Sequence, residues 1–457
     1  MVDTAILIET LFKQVKDLTA TVAKLVKEND SLKQELAGYK NKKNSGNSHI
    51  PPSQDQNRTK KNQSLRTKSG KKSGGQSGHQ GSTLACSATP NEVIDYQPDC
   101  CNSCGNDLSN VAATMIESRQ VIDIPVIRTT CVEHRIYQKK CICGHCTQSK
   151  FPDHVAANIQ YGPVAESLIG YLHARQYMPY KRMKEFFTDA FNLSISEGSI
   201  ANILQRFVKK ALPHYDIIKQ RIEAANYVGT DETSMTVNGA KHWAWTWQNS
   251  DITFIACTNN RGFKTIEQYF PEGLPNSIVG HDRYAAHFNC EAKQHQICTA
   301  HLLRDLQYIT ELYDNKCDWA VQMKDLIIQA INLKKVMATP DYYGPNKKRN
   351  TLEKAKATLL QTNIDQTHSK AKTLQKNLWK HQQHILTFLW EADVPPDNNG
   401  SERAIRNIKV KQKISGQFKS ENGANGFAVI RSIIDTAIKS GQNVLATLAL
   451  IAKVGAE

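Results

Sequence analysis

Apolar positions recur along this chain with different periods, and each period marks a stretch with its own structure. Over residues 1–40 the period is seven. Leu11, Leu18, Leu25 and Leu32 repeat, with Val15, Val22, Asn29 and Leu36 at the complementary positions. The pattern predicts one helix. Leu at d with Val at a favours two parallel coiled-coil strands, and a lone Asn at a fixes their register. An amphipathic helix laid on its own domain is the alternative, but it gives no reason for four heptads in sequence. A homodimer or larger assembly through residues 1–40 is expected.

Residues 41–85 are Lys, Ser, Gly, Asn and Gln with almost no apolar content. They cannot bury enough surface to offset ordering, so a disordered linker is expected. Over 86–155, "RQVIDIPVI" and "CVEHRIYQKKC" read as short strands. Helical spacing returns over 156–222. There "YKRMKEFFTDAFNLSISEGSIANILQRFVKK" gives two helices joined by "NLSIS", with Ser196 as N-cap of the second. They form either a helix-turn-helix or two ordinary packed helices.

From 223 to 457 the pattern alternates. "NYVGTDETSMTV", "KHWAWTWQNS" and "DITFIACTNN" are three successive strands, and Trp243, Trp245 and Trp247 fall on one face of the second. That face reads as packed core rather than a platform for bases. A helix follows at "RGFKTIEQYF", a fourth strand at "NSIVGHD", then "QHQICTAHL" leading into another helix. This is the order of a ribonuclease-H-like α/β domain. About 303–390 turns helical and charged, an α-helical insertion in that domain. The fold class is thus multidomain α+β: coiled coil, small cysteine-bearing β unit, helical region and an α/β domain with insertion.

Charge sharpens this outline. The 457 residues carry +15, and residues 42–72 supply +8 of it, with nine Lys or Arg against Asp55 alone. A polyanionic partner fits, though a solvated basic surface or plain linker would look the same. No segment approaches the ~18 apolar residues of a membrane span, and no cleavable leader is visible, so a cytoplasmic protein with access to DNA is expected.

Eight of the twelve cysteines fall within 86–150. In a reducing compartment, clustered thiols bind metal more often than they form disulfides. Cys101 and Cys104 precede a Gly, the knuckle spacing for two thiolates on one structural Zn²⁺. Cys141 with Cys143, or Cys143 with Cys146, would complete a zinc-ribbon-like unit. Cys100 is a possible substitute, and Cys86 and Cys131 read as ordinary thiols. Reduced cysteines in a small β unit are the plainer alternative.

Three acids stand where chemistry is expected. Asp231 ends the first strand in "GTDET", Asp282 ends the fourth in "VGHDRY", and Glu402 in "DNNGSER" opens the helix after the insertion. Cutting and joining phosphodiesters calls for two divalent metals roughly 4 Å apart, one activating the nucleophile and one stabilising the leaving oxygen. Hard Mg²⁺ takes carboxylate oxygens. Taken singly, the Asp residues could cap turns, and Asn399 with Glu402 has capping-box spacing. All three in this order favour the metal reading.

These segments, with "SGNSHIPPSQD", "SGGQSGHQG", "CNSCG", "CICGHC", "HDRYAAHF", "CTAHLLRDL" and "PPDNNGSERAIRNIKVKQKISGQF", resemble transposases of the insertion-sequence sixty-six family over nearly the whole chain. The resemblance implies a DDE triad of Asp231, Asp282 and Glu402 using Mg²⁺ or Mn²⁺. It also implies a supporting role for Cys298 and His301, matched to a Cys-x-x-His motif. The implied partners are the element's inverted repeats, target DNA and accessory proteins of the same element. Arg403, Arg406, Lys409, Lys411 and Lys413 would then hold the DNA backbone near the site, unless they form a solvated helix face. Two rival readings remain: a non-catalytic dimeric zinc-containing DNA-binding protein, and a nuclease of the same fold that cuts without joining.

Overall fold

The computed structural model describes residues 2–48, 50, 55–57, 85–124, 127, 129–337 and 340–454. The chain divides into two compact units, residues 60–130 and the remainder. The heptad stretch forms a single helix, α1 (Val2–Lys40). Leu18 and Leu32 on its stripe are 63% and 65% exposed, so in one copy of the chain that stripe is bare. Residues 41–48 depart from the disorder expected of 41–85. Asn47 is buried, and its Nδ2 donates to Glu311 Oε2 at 2.7 Å. Most of the remaining linker lies outside the described residues.

In the unit spanning 60–130, the described residues form turns and one isolated bridge, Cys100 to Asp107, with no strand. The strand expected at 119–127 is therefore not formed among its described residues. Val121 is 93% exposed, and an alternating pattern holds as a strand only when a neighbour takes up its hydrogen bonds. The strand expected at 131–141 shrinks to β1 (Gln138–Lys140), paired antiparallel with β2 (Cys146–Gln148).

Three helices follow: α2 (Pro163–Ala174), α3 (Tyr180–Phe191) and α4 (Glu197–Glu223). Ser196 caps α4 as expected, its Oγ accepting from Ser199 N at 3.0 Å. Ile200, Ile203, Phe207, Ile218 and Ile222 give α4 one apolar face, and that face is buried in the main core. The apolar face of α4 packs chiefly against α2 and against the later helix at Glu421–Lys439.

The sheet comprises β3 (Tyr227–Val237), β4 (Ala240–Gln248), β5 (Thr253–Thr258), β6 (Leu274–His281) and β7 (Ala292–Ile297), in the spatial order β5-β4-β3-β6-β7. Strands β3, β4 and β5 form an antiparallel meander. The chain then crosses through α5 (Phe263–Tyr269) so that β6 lies parallel to β3. After α6 (Ala285–Phe288), β7 lies parallel to β6. Trp245 and Trp247 stack at 5.7 Å between ring centres and are buried, as the alternation predicted. Trp243 stays half-buried at the rim.

After β7 the chain is helical: α7 (Thr299–Leu312), α8 (Asp318–Val336), α9 (Pro340–Tyr343), α10 (Lys347–Gln361) and α11 (Ser369–Lys380). These helices have a second apolar cluster built on Leu302, Leu306, Trp319, Met323, Leu352 and Leu378. It touches the sheet through Ile278 and Ile297. The chain then returns through α12 (Asn399–Ser415), α13 (Glu421–Lys439) and α14 (Val444–Lys453) to the first cluster, which holds Phe427, Ile434 and Leu448.

Candidate active site

Strand register brings two of the three expected acids together. In the parallel pair β3 and β6, Gly229 lies opposite Gly280. Asp231 lies two residues further along β3, and Asp282 two residues beyond Gly280, just past the end of β6. Asp231 Oδ1 accepts from Glu232 N, and Asp282 Oδ1 from Tyr284 N, each at 2.9 Å. Burial pushes the Asp231 carboxyl well above the usual carboxylate range. The charges of Asp282, Glu232 and Glu402 push it the same way. Among the described residues no salt bridge reaches Asp231.

Glu402 sits in the first turn of α12. The N-cap is Asn398 and makes no side-chain cap, so Glu402 falls one place too late for the capping box. Glu402 faces two arginines and a histidine instead: Arg304 Nη2 at 3.4 Å, Arg406 Nη2 at 3.6 Å and His301 Nε2 at 4.0 Å. The loop before it is pinned on both sides. Asn398 Nδ2 donates to Thr230 O at 2.7 Å, next to Asp231. Thr299 N and Oγ1 donate to Pro396 O. At Gly400 a Cβ would come within 2.5 Å of Gln248 Nε2, so any larger residue would push the Gln248 amide aside.

Cys298 and His301 both serve this loop. Cys298 is buried, its thiol is pushed up to about 11 by burial, and its Sγ accepts from Asn398 N at 3.2 Å. His301 reaches Glu402 itself.

Comparison with known families decides the chain's kinship. The model described as transposase IS66 family matches residues 158–426, more than half of the chain. The chain belongs to the IS66 transposase family. No curated protein matches it. Membership gives this IS66-family protein a role in transposition and DNA as its partner, and it implies a divalent metal. No described helix is long and apolar enough to cross a membrane.

The donor set of the transposase suits such a metal. Asp231 is a half-buried carboxyl with carboxylate neighbours and, among the described residues, no ion-paired cation, a charge that a hard divalent ion would supply. Among the described residues no three ligating side chains converge tightly enough to grip an ion unaided. Glu402 is the arm turned aside, toward Arg304.

Two features of the transposase's site escaped the sequence reading. Glu232 follows Asp231 but faces the other side of β3, opposite Trp245. It pairs there with Arg261 and with buried His287, at 2.9 and 3.0 Å. Strand alternation was the available signal. Behind Asp282, the buried His281 and His295 are joined at 3.1 Å. Burial pushes His281 down and His295 down to about 4, so both rings are neutral.

The expected DNA-facing cations divide. Arg403, Arg406 and Lys413 are exposed on α12. Lys411 is only 5% exposed, and burial pushes its ammonium down to about 8. Lys409 Nζ donates inward to Ser234 O. Lys411 is thus withdrawn from solvent, and Lys409 is half-buried and engaged by Ser234. Ser401, Ala404, Ile408 and Lys411 form the buried stripe of α12, a helical period that outweighs charge.

Both cysteine groups form tight turns. Cys101 N donates to Asn106 O and Gly105 N to Cys101 O. Likewise Cys141 N donates to His145 O and Gly144 N to Cys141 O. Gly105 and Gly144 have φ of +77° and +87°, which glycine adopts without strain. Cys101 is lowered first by the backbone N–H of Ser103, and Cys141 first by that of Cys143. Gly105 directly follows Cys104, and Gly144 directly follows Cys143. The two turns fall in different compact units.

Proposed function

We propose that Asp231, Asp282 and Glu402 are the DDE site at which this transposase cuts and joins DNA, on a ribonuclease-H-like domain interrupted between β7 and α12. The observation that carries the reading is the register of β3 and β6. It aligns Asp231 with Asp282 while Glu402 lies near enough to raise the Asp231 carboxyl.

The three carboxylates would hold Mg²⁺ or Mn²⁺, which would polarise the phosphodiester and lower the cost of charge on the attacking and leaving oxygens. The chain's own groups supply the rest. Asn398 and Cys298 fix the start of α12, so Glu402 arrives at a set depth relative to Asp231. Arg304 and His301 steady Glu402, and Arg304 adds positive charge where a phosphate must be received. Arg403, Arg406 and Lys413 line an exposed face suited to the backbone of the same DNA, which predicts steep salt dependence.

The bare leucine stripe of α1 supports dimerisation through a parallel coiled coil. Each cysteine turn, Cys101 with Cys104 and Cys141 with Cys143 or Cys146, offers thiolates suited to a structural Zn²⁺, and the cysteine-bearing region would read the element's inverted repeats. Such a protein works at the nucleoid, together with whatever accessory proteins the element encodes.

The test is cleavage and strand transfer on duplexes bearing the DNA that flanks the element, with Mg²⁺ and with chelator. Wild type is compared with Asp231→Asn, Asp282→Asn and Glu402→Gln, with and without the neighbouring gene products. Metal-dependent joining lost in each variant, with DNA binding kept, is the expected result. Cutting without joining points to the nuclease reading. Joining that survives the substitutions overturns this site.

A further inference from the structure

Arg261 lies between β5 and α5, on the side of β3 that Glu232 faces. Its Nε and Nη2 both approach one oxygen, Glu232 Oε1, at 3.0 and 2.9 Å. The Glu232 side chain is 2% exposed, and its other oxygen takes His287 Nε2 at 3.0 Å. The guanidinium carbon lies 4.8 Å from the ring centre of Trp243 and 4.3 Å from that of Tyr284. Lys241 approaches Trp243 as well, at 5.0 Å. Yet the Arg261 side chain remains 45% exposed. Among the described residues it has no hydrogen-bond acceptor besides Glu232.

Neutralising Glu232 needs only the one guanidinium edge that faces it, and His287 already reaches that carboxylate. Here the guanidinium is held along one edge and against aromatic rings, while Nη1 makes no hydrogen bond among the described residues. A planar fork fixed in this way loses little entropy on binding and suits phosphate oxygens. Its position fits the same end of the sheet as the acids, since Tyr284, whose ring it meets, holds Asp282 Oδ1 through its backbone N–H.

We propose that Arg261 is a fixed clamp for one phosphate of the DNA strand that passes Asp282, with Trp243 and Tyr284 as its side walls and Lys241 as a second cation beside it. The clamp rests on the DNA-cutting reading given above.

The experiment measures binding of the full-length protein to a duplex carrying the DNA that flanks the element. Methylphosphonates, which lack the charge, replace single phosphates one at a time. Arg261→Gln should lower the slope of log K against log salt by about one. At one position the neutral phosphate should cost wild type roughly tenfold in affinity and cost Arg261→Gln nothing further. The double variant Glu232→Gln with Arg261→Gln leaves no unpaired buried charge and should give the same pattern if Arg261→Gln alone folds poorly. An unchanged salt slope, or identical methylphosphonate profiles in wild type and variants, overturns the clamp. If wild type still cuts and joins in that case, the active-site reading stands and only the clamp fails. A wild type that binds no DNA overturns both.

Discussion

The side-chain amide of Asn398 donates to the carbonyl of Thr230 at 2.7 Å, joining the N-cap of α12 to the residue before Asp231. This one bond ties two of the three acids together through the backbone. Ser401 Oγ donates to Asn398 Oδ1 at 2.7 Å, so the amide is used at both ends.

Asn398→Ala should therefore cost about 1–3 kcal/mol, because it strands a buried carbonyl and a buried hydroxyl. Joining activity should fall further than stability accounts for, since Glu402 loses its depth relative to Asp231. Urea melts and strand-transfer rates on one preparation check this. Normal activity in a destabilised variant would show that the bond supports folding alone.

Asp231→Asn should separate stability from activity. The folded carboxyl is raised by burial first and then by Asp282, Glu232 and Glu402, so folding penalises its ionised form. That penalty is absent below the unfolded value of roughly 3.9 and grows as pH rises above it. Without metal, the variant should melt above wild type at pH 7, and the gap should close toward pH ~4. Mg²⁺ should raise the melting temperature of wild type and leave the variant unmoved. Activity should drop by ~10³-fold, about 4 kcal/mol of transition-state stabilisation.

Lys411→Met should stabilise the protein. Burial holds the folded ammonium at about 8, below the ordinary lysine value, so its charged form opposes folding. The penalty is full below pH 8 and fades as pH climbs toward the unfolded value of roughly 10.4. A gain of about 2 kcal/mol at pH 7, shrinking above pH 8, is expected from urea melts. DNA affinity should not change, whereas Arg406→Gln should weaken it.

Zinc content should distinguish the cysteines. Cys101→Ser, Cys104→Ser and Cys141→Ser should each lower bound zinc, measured by elemental analysis of purified protein, as should one of Cys143→Ser and Cys146→Ser. Equal loss at Cys143 and Cys146 would mean that the second turn is gripped differently from the first.

The three acids were legible as candidates because they sit in local sequence patterns, although Asp231 lies inside β3 rather than at its end and Asp282 just past the end of β6. "GTDET", "VGHDRY" and "DNNGSER" are local patterns, and the order of strands follows from their spacing. The neighbours were not legible in the same way. Arg304 meets Glu402 only because α7 and α12 converge, across 98 residues of chain. Lys411 was misread for a different reason: its charge was weighed above its place on the buried stripe with Ala404 and Ile408. Glu232 was hidden by its neighbour, although simple alternation sends it to the opposite face of β3. The strands expected at 119–127 and 131–137 had the right residues but lacked a partner strand among those described.

The helical block from α7 to α11 has its own apolar cluster and meets the sheet through a few residues such as Ile278 and Ile297. Its inner helix nonetheless supplies the groups that steady Glu402. Over evolutionary time such a block can lengthen, shorten or change its outer surface while the paired glycines of β3 and β6 stay in step. Descendants could thus acquire new partners on that outer surface without rebuilding the site itself.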